Sequence, residues 1–134
     1  MLAETPFTKS NDNFLMIKIY GIPNCDSTRK AMAWLKKNKT GFAFHNYKTQ
    51  GIEKARLVSW IKVGGLEKLL NKKSTTWRQL PETLQATAIN TEGAIQLMLQ
   101  YNSLIKRPII EKERQLLIGF NDQEYKNANF NKEN

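Results

Sequence analysis

The feature that most constrains this chain is a strand, a tight turn and a helix that follow one another over residues 14–35. Apolar and less apolar residues alternate over residues 14–20, which is the period of two expected of a strand with one better-buried face. Gly21 and Pro23 then mark a turn. A helix is predicted from the only cysteine, Cys25, because the apolar residues that follow recur at helical spacing, at Ala31, Trp34 and Leu35.

Cys25 is a candidate nucleophile because of its place at the start of that helix. Asn24, Asp26 and Ser27 are candidate N-caps. A thiol there meets unpaired backbone N–H groups and the positive end of the helix dipole, which both favour the thiolate. We therefore expect its pKa to lie below the free value of about 8.5. The alternative is a buried, inert cysteine, and the polar neighbours argue against it.

Composition indicates one soluble globular domain, since the 134 residues are 40% hydrophobic and 25% charged. The polar segment 1–13 is interpreted as a disordered tail and not as a secretory signal. One cysteine permits no internal disulfide and provides no metal framework, which fits the reducing cytoplasm. The net charge of +9 allows nucleic acid, acidic proteins or anionic small molecules as partners. Lysines and arginines are spread along the chain, so a generally basic surface is favoured over nucleic-acid binding.

The remaining pattern predicts an α/β fold in the order β-α-β, helical block, β-β-α. A second strand over 42–47 completes a βαβ unit with a parallel pair. Amphipathic segments predict a helical insertion over about 53–102, and strands over 107–112 and 115–118 form a hairpin before a terminal helix. This is the arrangement of a thioredoxin-like domain with a mixed four-stranded sheet over 14–128. The last residues, 129–134, are predicted to be frayed.

A proline at the start of the third strand supplies a second part of the site. In a thioredoxin-like frame the loop before that strand faces the nucleophile. We expect a cis peptide at Arg107–Pro108 that presents backbone groups to whatever is bound at Cys25. Arg107 is then placed to pair with an anion or to stabilise the thiolate.

Two segments carry a family resemblance, Tyr20–Ala31 and Leu104–Ile109. They resemble the two signatures of the ArsC/Spx family, which contains arsenate reductases, Spx regulators and YffB-type thiol reductases. The likeness extends from about Ile17 to Tyr125 and is greatest to the YffB branch. It implies a thioredoxin fold, a nucleophilic cysteine, a cis Pro108 and an arginine beside the site.

Departures from the family patterns discriminate among its branches. Arsenate reductases of the family carry three arginines around an oxyanion, whereas only Arg107 has a match here; Asn71 and Phe120 occupy the other two positions. They also carry a histidine where this chain has Gly21. Spx regulators commonly use a Cys-x-x-Cys switch, and Thr28 stands in place of its second cysteine.

These observations predict a glutathione-dependent thiol reductase in which the Cys25 thiolate attacks an oxidised substrate and an external thiol resolves the adduct. The alternatives are an arsenate reductase using glutathione or glutaredoxin, and a non-catalytic, Spx-like partner-binding protein. Cys25 and Arg107 are the predicted catalytic residues. The predicted residues for binding substrate or glutathione are Asn24, Ser27, Thr28, Arg29, Lys48 and Pro108.

The remaining expectations concern partners and other singled-out side chains. We expect a cytoplasmic monomer with no metal, no tightly bound cofactor and no membrane association. Glutathione or another small thiol is the expected co-substrate, and glutaredoxin is a candidate protein partner. His45 is interpreted as a packed or surface residue and not as a base. The three tryptophans are assigned to the core.

Overall fold

The computed structural model describes residues 16–130, which form two compact units. Within this range the first unit contains residues 16–45 and 107–130, and the second contains Asn46–Lys106. The predicted tail over 1–13 and the last four residues lie outside the described residues. No helix in the described part of the chain is long and apolar enough to cross a membrane.

The predicted mixed four-stranded sheet is confirmed. Its strands are β1 (Ile17–Gly21), β2 (Phe42–Asn46), β3 (Ile109–Lys112) and β4 (Gln115–Ile118). Their spatial order is β2-β1-β3-β4, and β3 is antiparallel to both β1 and β4. The third strand begins two residues later than predicted, because proline has no N–H to donate to a ladder.

Eight α-helices lie between residues 16 and 130. They are α1 (Asp26–Lys37), α2 (Tyr47–Gln50), α3 (Lys54–Gly64), α4 (Leu66–Leu69), α5 (Thr75–Gln79), α6 (Glu82–Ala86), α7 (Thr91–Gln100) and α8 (Asp122–Ala128). The prediction of a strand through Tyr47 and a turn at Thr49 was wrong. Asn46 caps a helical turn there by accepting from the Lys48 N–H at 3.1 Å.

The core of the first unit lies between its sheet and the helices α1 and α8. Its buried members come from β1, α1, β3 and the C-terminal segment, and they are Ile17, Ile19, Ala31, Leu35, Ile110, Tyr125 and Phe130. Phe130 is 6% exposed and its carbonyl accepts from the Lys112 ammonium. The predicted fraying from residue 129 is therefore wrong for Phe130, because its ring is packed against Tyr125 and Trp34.

The second unit is built of short helices joined by loops, with an isolated bridge between Leu70 and Ile105. Trp60 of α3 is 1% exposed, and the buried Tyr47 hydroxyl donates to the Ile105 carbonyl at 3.0 Å. Of the three tryptophans assigned to the core, only Trp60 is fully buried, whereas Trp34 and Trp77 are half-buried. The Trp34 indole reaches the surface because it donates to Asp122 Oδ1 at 2.7 Å.

We expect replacement of Asn90 by alanine to destabilise α7. Asn90 is the N-cap of that helix, and its Oδ1 accepts from the Gly93 N–H at 2.7 Å. Loss of such a cap costs about 1 kcal/mol. Urea unfolding followed by circular dichroism would measure the cost, with Asn127→Ala on the exposed side of α8 as a control. Equal midpoints for the two variants would contradict the capping role.

Candidate active site

Cys25 itself is the N-cap of α1. Its backbone is extended, with φ −147° and ψ 122°, and its carbonyl accepts from the Arg29 N–H at 2.9 Å. The helix therefore begins one residue after the cysteine. The predicted N-caps Asn24, Asp26 and Ser27 were wrong, because the cysteine occupies that position and no side-chain oxygen caps the helix. The half-buried Cys25 side chain therefore lies at the helix N-terminus, where the first N–H groups have no partner within the helix.

The pKa of the Cys25 thiol lies below its ordinary value. Partial burial is the largest single effect and raises the pKa, because it penalises the charged thiolate. Hydrogen bonding from the hydroxyl and the backbone N–H of Thr28 lowers the pKa, as do the hydrogen bond and positive charge of Arg107. These lowering effects together exceed the desolvation penalty, so the environment favours a nucleophilic thiolate.

Thr28 makes the largest contribution to lowering the pKa of Cys25. It lies in the first turn of α1 and is 0% exposed. Apart from its interaction with the Cys25 thiol, its buried hydroxyl has no hydrogen-bond partner among the described residues. A buried hydroxyl without a partner is costly, and ionisation of Cys25 provides the acceptor toward which this hydroxyl lowers the pKa.

Arg107 and Pro108 belong to the same unit as Cys25, on the segment that enters β3. The predicted cis peptide between them is confirmed. Arg107 is half-buried, and its hydrogen bond and positive charge lower the pKa of Cys25. The Pro108 carbonyl accepts from the Gly119 N–H at 2.7 Å. This carbonyl is therefore engaged within the protein, which leaves other atoms of the segment for contact with a ligand.

The exposed Arg29 is tied to the loop that precedes α1. Its guanidinium donates to Asp26 Oδ1 at 2.5 Å, to the Pro23 carbonyl at 3.3 Å and to Asn24 Oδ1 at 3.5 Å. Asn24 is exposed and Ser27 is half-buried. These side chains form the outer surface around the cysteine, whereas Thr28 lies on the buried side.

Four other residues were named from the sequence, and they are Lys48, Asn71, His45 and Phe120. Lys48 and Asn71 belong to the second unit, where Lys48 is exposed on α2. The His45 ring packs against Tyr20 with centroids 4.9 Å apart, as expected of a packed residue. Phe120, at a position that carries an arginine in arsenate reductases, packs edge-on against Tyr125 with centroids 5.1 Å apart.

Sequence reasoning missed one contributor to the site. Gly21 was interpreted as a turn residue and as a departure from the arsenate reductase pattern, but it is the buried last residue of β1 and lies directly against Thr28. The available signal was a glycine at the end of a strand, which often marks a close approach of another group. The identity of that group depends on tertiary packing.

Comparison with known proteins places the chain among ArsC-related proteins. The ArsC family model matches residues 20–128. An uncharacterized protein of Haemophilus influenzae is 38% identical over 84% of this chain and 98% of its own length. The Spx transcriptional regulator of Streptococcus pneumoniae is 32% identical over 81% of this chain and 82% of the regulator.

Solved structures agree with this placement. A YFFB protein is 38% identical with a TM-score of 0.81, covering 84% of this chain and 98% of that protein. An arsenate reductase (ArsC) related protein from Brucella melitensis is 37% identical with a TM-score of 0.67, covering 86% of this chain and 94% of that protein. The family match spans most of the chain and contains both Cys25 and the Arg107–Pro108 segment. The chain belongs to the ArsC family.

Proposed function

We propose that this protein is a glutathione-dependent thiol reductase that uses Cys25 as its nucleophile. The observation that carries the proposal is a half-exposed thiol whose pKa is lowered by Thr28 and Arg107. The chain has no second cysteine to resolve an adduct. A thiol of this kind needs an external resolving thiol, and glutathione is the natural small-molecule candidate.

The proposed reaction is two successive thiol–disulfide exchanges. The Cys25 thiolate attacks the glutathionyl sulfur of a mixed disulfide between glutathione and a substrate thiol. A sulfur–sulfur bond to Cys25 forms, the original bond breaks, and the substrate leaves as a thiolate that takes up a proton. The thiolate of a second glutathione then attacks the glutathionyl sulfur on Cys25. This step releases oxidised glutathione and regenerates the Cys25 thiolate.

The roles of the surrounding residues follow from charge and position. Arg107 and Thr28 stabilise the Cys25 sulfur whenever it carries negative charge, both before attack and as the leaving group. Glutathione bears carboxylates, so the net charge of +9 favours its approach. Within the first unit, we assign its binding to Asn24, Ser27, Arg29 and Pro108 as part of this proposal.

The pH dependence of alkylation tests the nucleophile. Because the surroundings of Cys25 lower its pKa, its alkylation by iodoacetamide should persist to lower pH than the alkylation of an unperturbed cysteine. Arg107→Gln removes a charge that lowers this pKa, so its profile should move to higher pH. We expect alkylation at pH 7 to slow by about threefold or more.

The exposed Arg114, in the turn between β3 and β4, offers a matched control. Arg114→Gln also removes one positive charge and should retain the wild-type profile. A wild-type profile with an ordinary thiol inflection would remove the physical basis of the proposed function. Equal shifts in the two arginine variants would mean that overall charge, and not contact with Cys25, controls the thiol.

Two other functions have observations in their favour. The likeness to an arsenate reductase related protein supports arsenate reduction, but the partly buried Phe120 packs against the core and supplies no charge to an oxyanion. Arsenate-dependent NADPH oxidation in a glutathione-coupled assay, lost in Cys25→Ser, would establish it. The likeness to Spx regulators supports partner binding. Binding to purified RNA polymerase that persists in Cys25→Ser, with no reductase activity, would favour that role.

A further inference from the structure

Gly21 approaches Thr28 so closely that a side chain has no room. A Cβ atom at position 21 would stand 2.6 Å from Thr28 Oγ1, 3.0 Å from its Cγ2 and 3.4 Å from its Cβ. Gly21 is the last residue of β1. Its φ is not positive, unlike those of Gly51, Gly65 and Gly119. Any residue could adopt its backbone conformation. The lack of room for a side chain, and not a need for positive φ, therefore explains the glycine at position 21.

Thr28 has little freedom to yield to a larger neighbour. Its side chain is 0% exposed and sits in the first turn of α1. A β-branched side chain in a helix has few accessible χ1 rotamers. A new methyl group at position 21 would meet both the hydroxyl and the methyl of Thr28. Relief requires rotation of Thr28 or displacement of the helix start, and both changes move the hydroxyl relative to Cys25.

We propose that Gly21 is a positioning residue that holds the Thr28 hydroxyl toward the Cys25 sulfur. This inference rests on the proposed function, because it concerns the thiolate that Thr28 stabilises. Gly21 touches no reacting atom and acts only through Thr28. The size of the residue at the end of β1 thus controls the reactivity of the thiol at the start of α1.

The iodoacetamide pH profile of Gly21→Ala tests this role. We expect the inflection to move to higher pH and the alkylation rate at pH 7 to fall by about tenfold or more, the effect of losing a hydrogen bond to a charged group. Gly41→Ala is the matched control, since a Cβ at Gly41 meets nothing within 4 Å. Its profile should match that of the wild type, and circular dichroism would confirm that both variants are folded.

Double substitution separates action through Thr28 from a general disturbance. Thr28→Ala should itself raise the inflection, and adding Gly21→Ala in that background should cause no further change. A wild-type profile in Gly21→Ala, or an equal shift with and without Thr28, would overturn the inference. Should Gly21→Ala fail to fold, the double variant Gly21→Ala/Thr28→Ser replaces it, because serine lacks the methyl group that meets the new Cβ. This double variant is compared with Thr28→Ser. Identical pH profiles of the two would likewise overturn the positioning role of Gly21.

The pH profile of the wild-type protein shows whether the proposed function fails or only the positioning role of Gly21. An ordinary inflection in the wild type would refute the proposed function, whatever position 21 does. A low inflection in the wild type that Gly21→Ala leaves unchanged would refute only the positioning role of Gly21.

Discussion

Replacing Cys25 with serine is expected to abolish reduction of the mixed disulfide between glutathione and 2-mercaptoethanol. A serine hydroxyl does not ionise near neutral pH and forms no disulfide, whereas the site lowers the pKa of the native thiol. The chain has no other cysteine to take over. We expect the rate to fall on the order of a thousandfold or more, as measured by NADPH oxidation coupled through glutathione reductase.

This assay needs a control variant that retains Cys25. Gly41→Ala changes a position whose Cβ meets no other atom within 4 Å, and it should retain wild-type turnover. Mass spectrometry of wild-type protein incubated with oxidised glutathione should detect one glutathionyl adduct, which Cys25→Ser should lack. Wild-type turnover by Cys25→Ser would show that another group carries the chemistry and would refute the nucleophile assignment.

Truncation of Trp60 to alanine is expected to cause the largest loss of stability. Trp60 lies in α3 with 1% of its surface exposed and is the largest fully buried side chain among the described residues. Replacing a buried tryptophan with alanine removes its transfer free energy and leaves a cavity, at a cost of about 3–5 kcal/mol. This is a large share of a total folding free energy of about 5–15 kcal/mol.

Urea unfolding followed by far-ultraviolet circular dichroism would measure this loss without relying on the removed fluorophore. Val63→Ala provides a control in the same helix, since Val63 is 60% exposed and its truncation should change the free energy of unfolding by at most about 0.5 kcal/mol. A Trp60→Ala midpoint equal to that of Val63→Ala would contradict the assignment of Trp60 to the core.

The elements with strong local signals could be predicted from sequence. The alternation before Gly21 and the helical spacing after Cys25 predicted β1 and α1, and the predicted strand Gln115–Ile118 matched β4 with both bounds correct. The single-turn helix over 47–50 was missed, because a helix of one turn is too short to show periodicity. This helix is held by contacts distant in sequence, including the bond from the Tyr47 hydroxyl to the Ile105 carbonyl.

The sequence by itself determined the chemical type of the candidate site. A single cysteine after a strand and turn, with an arginine–proline pair far along the chain, was enough to predict the fold class, the family and the need for an external thiol. These inferences depend on residue identity and local spacing, which are readable without coordinates. They identified Cys25 as the candidate nucleophile and Arg107 as a candidate stabilising group, but they did not identify the contribution of Gly21.

Only the tertiary structure decided how that sulfur is tuned. It placed Arg107 beside Cys25, buried the Thr28 hydroxyl without another partner, and set Gly21 against that hydroxyl. Each of these contacts joins separate elements, and its distance depends on how β1, α1 and β3 pack together. The physical reason is that hydrogen bonding and desolvation change within ångströms, a scale that sequence spacing alone does not specify.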